Sequence, residues 1–369
     1  MKSIIIIGGG LAGLVGANYM VEKGLSVTLV EKKRYPFHRV CGEYISNETI
    51  PFLKARGLFP QEFNPPKINR FQLTSLNGRV ALLPLDLGGF GISRYSFDHF
   101  LYKKALDKGV NFVLDTEVES VLFKDESFFV RTGQTELSAD LVIGSFGKRS
   151  RLDLSMKRSF VQKRSPYAGV KYHIRTDQPA DLISLHNFKD GYCGISQIED
   201  QKFTLCYLTH RINLKSHGSI KAMEEAVLFK NPYLKSIFRN SEFLFDKPEV
   251  INEISFATKT PIENHVLMTG DAAGMITPLC GNGMAMAIHS AKILSELVIE
   301  YSAGKITREH LEIQYSQKWN SLFAIRLWTG RQIQRLFGDE WTSNLAINLM
   351  RKSQPLAELI IKKTHGQPF

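Results

Sequence analysis

Three glycines and one acid near the start of the chain have the types and spacing to hold a dinucleotide. In SIIIIGGGLAGLVGANYMVEKGLSVTLVE, the β-branched run Ser3–Ile7 breaks at Gly8, Gly9 and Gly10, so a buried parallel strand ends directly in a loop. Gly8 allows the tight turn, Gly10 lets a pyrophosphate approach bare backbone, and Gly13 lets the next helix pack close on the strand. Leu11, Leu14, Val15, Asn18, Tyr19 and Met20 recur near helical spacing up to Gly24, a C-terminal stop. Ser26–Val30 follows as a second strand. Glu31 at its end can accept hydrogen bonds from both hydroxyls of an adenosine ribose.

A second cluster lies far along the chain, in HVLMTGDAAGMITPLCGNGMAMAIHS. Residues 266–269 form a short apolar strand, Gly270 lets a ligand pass close, and Asp271 can accept from a sugar hydroxyl beside the pyrophosphate. Pro278 and the Gly281-Asn282-Gly283 turn lead into a long helix whose first backbone N–H groups carry partial positive charge. Two such clusters serving one dinucleotide must be brought together by the fold.

The intervening elements read as follows. Ser46 can cap a short helix that tolerates Pro51 and ends before Gly57. Residues 71–83 form a hairpin turning at Asn77-Gly78. A helix with Ser96 near its cap stops at Gly109, a strand follows at 110–114, and 117–131 alternates as a meander. Four strands at 167–175, 182–187, 191–198 and 203–210 suggest an antiparallel sheet inserted into the nucleotide domain. Ser219 caps a helix to 230, which Asn231-Pro232 ends, and the chain is helical from Thr307. This divides the chain into a discontinuous nucleotide domain (1–70, 94–165 and 251–300), a substrate domain (71–93 and 166–250) and a C-terminal helical region (301–369).

With 369 residues, 43% of them hydrophobic, the chain can bury a large core. No apolar run nears the roughly 18 residues of a membrane span, and the chain opens on a strand rather than a signal peptide, so a cytoplasmic location is expected. The four cysteines lack C-x-x-C spacing, which points to no metal site and no disulfide framework. The net charge of +11 is spread along the sequence without a nucleic-acid-binding pattern. Nucleic acid is therefore not an expected partner, whereas an anionic membrane face or acidic carrier would use the excess. The basic tail at 360–363 is either such a lipid contact or part of a capping helix.

Cys41-Gly42-Glu43, followed by a capped helix shortly after the ribose acid, resembles the geranylgeranyl reductase and FixC-like branch of FAD-dependent oxidoreductases, which share the p-hydroxybenzoate hydroxylase fold. The resemblance extends to Ile92, Ser93, Arg94, Phe97, Asp98 and Leu101, which match an I-S-R-x-x-F-D-x-x-L pattern, and to an unbroken G-D-A-A-x-x-x-x-P-x-x-G-x-G at Gly270–Gly283. It implies an α/β fold: a glutathione-reductase-type, Rossmann-like FAD domain with an inserted antiparallel substrate sheet and C-terminal helices. It also implies FAD contacts at Arg39, Cys41, Gly42 and Arg94, with Val118 bracketing the adenine. Leu11, Ala12, Lys32 and Met284 flank the two loops and join Gly8, Gly10, Gly13, Glu31, Gly270, Asp271, Pro278, Gly281, Asn282 and Gly283 in the expected cofactor site. The second fingerprint, ADLVIGSFGKRSRL, departs from the family at Phe146, which replaces an acid near the pyrophosphate and the loop visited by NAD(P)H.

The resemblance implies reduction of FAD by NAD(P)H or a partner reductase, and an apolar or aromatic small-molecule substrate, free or carrier-bound. The first reading is a monooxygenase using O2; the alternative is a reductase of carbon–carbon double bonds. Cys41, Tyr192 and His186 are the candidate catalytic residues, against plain structural roles for each. The W-x-W-x-I-P segment of flavin-dependent halogenases is absent, and only Gly191 and Tyr192 match the prenyl-channel pattern. A third reading, a prenyl-protein carrier resembling GDP dissociation inhibitors, conflicts with the intact G-D-A-A-G loop.

Overall fold

The computed structural model describes residues 2–133, 135–162, 165–335, 342–344, 347–348 and 363–369. The chain runs through β1 (Ser3–Ile7), α1 (Leu11–Glu22), β2 (Ser26–Val30), β3 (Tyr44–Ser46), α2 (Ile50–Ala55), β4 (Lys67–Thr74), β5 (Val80–Gly91) and α3 (Arg94–Asp107). It continues through β6 (Asn111–Val113), β7 (Val118–Lys124), β8 (Ser127–Thr132), β9 (Glu136–Ala139), β10 (Leu141–Gly144) and α4 (Arg151–Ser155). Next come β11 (Tyr167–Arg175), β12 (Leu182–Phe188), β13 (Gly191–Gln197), β14 (Phe203–His210), α5 (Arg211–His217), α6 (Ile220–Val227) and α7 (Pro232–Asn240). The chain then forms β15 (Glu242–Phe243), β16 (Glu249–Ile254), β17 (Ile262–Glu263), β18 (Val266–Met268), α8 (Gly283–Ser302) and α9 (Arg308–Gln334).

The nucleotide sheet has the order β17-β18-β10-β1-β2-β6. Its central strand is flanked by parallel partners, Ile5 opposite Val142 and Thr28. Ile4–Ile7 are therefore buried, at 0–4% exposure, as a strand covered on both faces must be. Helix α1 is buried from Leu11 to Met20 because the sheet, α3 and α8 all press on it, and this explains its nearly all-apolar surface. The meander β7-β8-β9 forms a small separate sheet. The large sheet, expected to form the substrate domain, runs β15-β11-β14-β13-β12-β4-β5-β3, with β16 also on β11. The hairpin around Asn77-Gly78 joins it through the parallel pairing of β4 with β12.

Several local expectations are corrected. Helix α3 is capped by Ser93, whose Oγ accepts from Ser96 N at 3.1 Å, so the helix starts a turn before the expected cap. Ser46 makes no side-chain cap; its carbonyl instead accepts from Thr49 Oγ1 at 3.0 Å. Asn231 opens a helix as well as closing one, because its Oδ1 accepts from Tyr233 N and Leu234 N at the start of α7. Of the basic stretch expected at 360–363, residues 360–362 lie outside the described residues. No helix among the described residues is long and apolar enough to cross a membrane.

Candidate FAD site

The first loop is held from its acid outward. Glu31 Oε2 accepts from Gly9 N at 2.7 Å and Arg39 Nη2 at 3.3 Å, while Oε1 accepts from Lys33 N at 3.1 Å. Tyr35 Oη donates to Gly9 O at 2.6 Å. Gly8 sits at φ +103°, where a Cβ would fall 2.5 Å from Ser145 O and 2.8 Å from Phe146 Cα, a conformation and spacing that only glycine meets easily. A side chain at Gly10 would meet nothing nearer than Arg94 Nη2 at 3.7 Å, which leaves its backbone bare toward a phosphate. Arg94 itself is clamped to Asp98 by two 2.7 Å bonds, and Arg39 Nε reaches the same carboxylate at 3.2 Å. Burial opposes the Arg94 charge, but the Asp98 partner outweighs it and holds the guanidinium firmly protonated.

The second loop meets the first beside α1. Gly270, at φ +61°, would bring a Cβ to 3.1 Å from Ala12, and its N–H donates to Ser290 Oγ at 3.1 Å. Lys259 Nζ ties this loop to the second fingerprint by donating to Asp271 O at 2.8 Å and Lys148 O at 2.7 Å. Burial lowers that ammonium to about 8. Tyr44 packs along Gly281, with a would-be Cβ 3.4 Å from its ring.

Between the loops lies a cavity of about 740 Å³. Gly8, Gly10, Leu11, Ala12, Glu31 and Lys32 line it together with Val118. Arg39, Cys41, Gly42 and Arg94 form one flank; Gly270, Asp271, Pro278, Gly281, Gly283 and Met284 form the other. Tyr192 closes it from the sheet. This arrangement fits FAD: glycines bare at the phosphate end, an acid for the ribose, a second acid midway, and a helix start at the far end.

Three expected residues are not on the wall. Gly13 is a packing position, since a Cβ there would overlap Gly8 O and Ser145 Oγ. Asn282 turns its amide away from the cavity to Glu48. His186 is fully buried in the sheet, with Nδ1 2.9 Å from Thr74 Oγ1 and its ring stacked on Tyr233. Burial pushes it down to about 3, so it is a neutral structural group.

Tyr192 is 3% exposed, and its Oη accepts from Leu279 N at 2.9 Å. Burial keeps the phenol far above its ordinary range despite that bond. Cys41, Cys206 and Cys280 line the same cavity as free thiols, and burial pushes Cys206 up to about 12 and Cys280 to about 11. Phe146 also faces the cavity, its ring 2.8 Å from where Gly144 would carry a Cβ.

Sequence reasoning gave no role to His38, Glu43, Glu48 or Lys259. His38 lines the cavity with Nδ1 unpartnered, stacks on Tyr95, and is held down to about 4 by burial and by Lys171. Glu43 lay within the Cys-Gly-Glu motif, so a signal existed. For the other three, the partners are too distant in sequence to be seen.

Comparison with known proteins gives the site its family. The model of the FAD binding domain family matches residues 1–321. Digeranylgeranylglycerophospholipid reductase of Methanosarcina acetivorans is 24% identical over 338 residues, covering 86% of this chain and 80% of the relative. A second enzyme of that name, from Methanopyrus kandleri, is 24% identical over 369 residues, covering 95% and 89%. The fold is shared with a geranylgeranyl bacteriochlorophyll reductase-like protein of Thermoplasma acidophilum, with TM-score 0.79, 15% identity, and coverage of 100% and 96%. It is shared equally with the flavin-dependent brominase Bmp2, with TM-score 0.77, 18% identity, and coverage of 97% and 92%. With two glycine loops converging on one cavity and a family match across most of its length, the chain belongs to the FAD binding domain family and is an FAD-dependent oxidoreductase.

Proposed function

We propose that this oxidoreductase saturates carbon–carbon double bonds in an apolar, isoprenoid-like molecule, free or carrier-bound. The observation that carries the reading is the continuation of the cavity from the FAD loops onto the apolar face of the substrate sheet, where Phe71, Leu73, Leu83, Leu85, Ile183 and Leu185 line it. A long hydrocarbon would bury itself there. The names of the long-coverage relatives support the same substrate class.

When bound, FAD supplies hydride chemistry; the protein supplies shape, orientation and a proton. Saturating an alkene puts a hydride on one carbon and a proton on its neighbour. Tyr192 is the proposed proton source, because it is the phenolic residue that lines the cavity from the sheet strand β13. The Leu279 N–H bonded to its oxygen stabilises the negative charge left behind. Cys41, which also lines the cavity, is the second candidate donor. Glu31, Arg39, Arg94 and Asp271 are the proposed cofactor contacts, and the Gly281–Gly283 turn that lines the cavity would hold the ring system at the start of α8. The electron donor is NAD(P)H or a partner reductase; the apolar Phe146 beside the phosphate loop favours a partner. A cytoplasmic enzyme touching membranes only peripherally would meet such a substrate.

Monooxygenation of an aromatic compound remains the second reading, because Phe71, Tyr44 and Tyr192 give the same cavity aromatic walls. One experiment separates them. The dithionite-reduced holoenzyme is mixed anaerobically with geranylgeraniol, and flavin absorbance at roughly 450 nm is followed. Return of the oxidised band with a product that has gained two hydrogens supports the reductase. No reaction until isotopically labelled dioxygen is admitted, with label then found in the product of an aromatic substrate, supports the monooxygenase. In the reductase outcome, Tyr192→Phe should slow the single turnover by about 10²-fold or more.

A further inference from the structure

One carboxylate outside the cavity wall joins the two loops that embrace it. Glu48, 1% exposed, follows β3 immediately after the Cys41–Glu43 loop. Its Oε1 accepts from Asn282 Nδ2 at 2.5 Å, and its Oε2 faces Arg326 Nη1 of α9 at 3.5 Å. A backbone bond from Gly366 also reaches this carboxylate. Asn282 is itself 0% exposed. It is the N-cap of α8, and its neighbours Gly281 and Gly283 line the cavity. Glu48 therefore sits directly behind the turn whose Gly281 and Gly283 line the cavity.

We propose that Glu48 is a positioning residue of the FAD site: it fixes the Gly281–Gly283 turn through Asn282, and its charge, balanced by Arg326, sets the midpoint potential of the bound cofactor. The inference rests on FAD occupying the cavity and is independent of the reaction assigned above. The physical argument concerns what reduction adds. Electrons entering the ring system are stabilised by the positive end of α8, opposed by a carboxylate behind that end, and favoured again by the guanidinium on the far side of the carboxylate. In a buried, low-dielectric setting these opposing effects are felt strongly. Asn282 transmits the geometric part, because among the described residues its side chain makes no hydrogen bond other than that to Glu48 and its Oδ1 is buried without a partner.

The test is a charge cycle read by spectroelectrochemistry of the purified holoenzyme at pH 8. Glu48→Gln keeps an acceptor for Asn282 and removes the charge, so the midpoint potential should shift upward while FAD affinity stays within about twofold. Arg326→Gln removes the balancing charge, and the potential should shift downward. Glu48→Ala, which leaves Asn282 unanchored, should weaken FAD binding at least tenfold while the unloaded protein keeps a cooperative melting transition. A purely structural role would move both single charge variants in the same direction or neither, and either result would overturn the proposal. Unchanged FAD affinity in Glu48→Ala would overturn the positioning part on its own. Should Glu48→Ala not fold, the opposite shifts of the two charge variants still decide the matter.

Discussion

Glu43 and Lys171 form an ion pair of 2.5 Å with neither side chain exposed, at the joint between the Cys41–Gly42 loop and strand β11 of the substrate sheet. The carboxylate also takes Arg94 N at 2.8 Å and meets His173 Nε2 at 2.7 Å. Glu43 adopts φ +53° to do so, an uncommon conformation for a residue with a Cβ. A buried pair adds little over an apolar substitute, but breaking it strands a charge. Lys171→Met should therefore cost about 3 to 5 kcal/mol, measured by urea unfolding. The double variant with Glu43→Gln should recover part of that loss.

Acid should expose the same joint. Burial alone would raise the Glu43 carboxyl, yet Lys171 and His173 hold it down to about 2 from 4.5. Its stabilising contribution is present above pH 4.5 and is lost as pH falls through 2. The shift corresponds to about 3 kcal/mol. His186, at about 3, acts earlier: the folded state refuses a proton that the unfolded chain binds, so stability falls as pH drops below 6.5. Unfolding midpoints between pH 7 and 2.5 should show both stages in the parent protein, with the lower stage missing in Glu43→Gln.

Gly10 and Gly13 should behave oppositely when substituted. Gly10→Ala has room in the protein itself, so its melting temperature should stay near the parent value while FAD affinity drops at least tenfold. Gly13→Val collides with Gly8 O and Ser145 Oγ and should lower the stability of the unloaded protein as well. Thermal melts with and without FAD distinguish the two patterns.

Asp271→Ala should weaken FAD binding by about 1 to 3 kcal/mol, the range for a hydrogen-bonding group lost from a buried site. Equilibrium dialysis against FAD provides the measurement. Stability without FAD should change little, because it is the Asp271 backbone carbonyl that receives Lys259.

Phe146→Asp restores an acid at the position where the family carries one. If that acid matters for the nicotinamide loop, the substitution should raise the rate of FAD reduction by NADPH in anaerobic stopped flow. An unchanged rate would return the departure at Phe146 to simple packing over Gly144.

The cofactor loops were legible because their chemistry is local. Gly8, Gly10, Glu31, Gly270 and Asp271 each announce themselves within a strand-turn-helix unit, and the ends of β1, β2, β11 and β14 fall at the edges of β-branched or aromatic runs. The remainder depends on pairings across the chain. Nothing in the neighbourhood of His186 reveals that β4 and α7 will bury it away from the cavity. Asn282 looks like a ligand group until Glu48 turns its amide away. The extension of β5 through Gly88, Gly89 and Gly91 was hidden by glycines that normally weaken a strand, although here they let Tyr44 and Gln197 approach closely.

Strand β1 pairs with β10, which in turn pairs with β18, while the loop after β18 completes the grip begun at Gly8. During synthesis, then, a nascent chain displays half of a coenzyme clasp long before its counterpart leaves the ribosome. The central isoleucine-rich strand must wait, partnered on one side only, and this interval is when chaperone capture or misassociation would threaten the protein most.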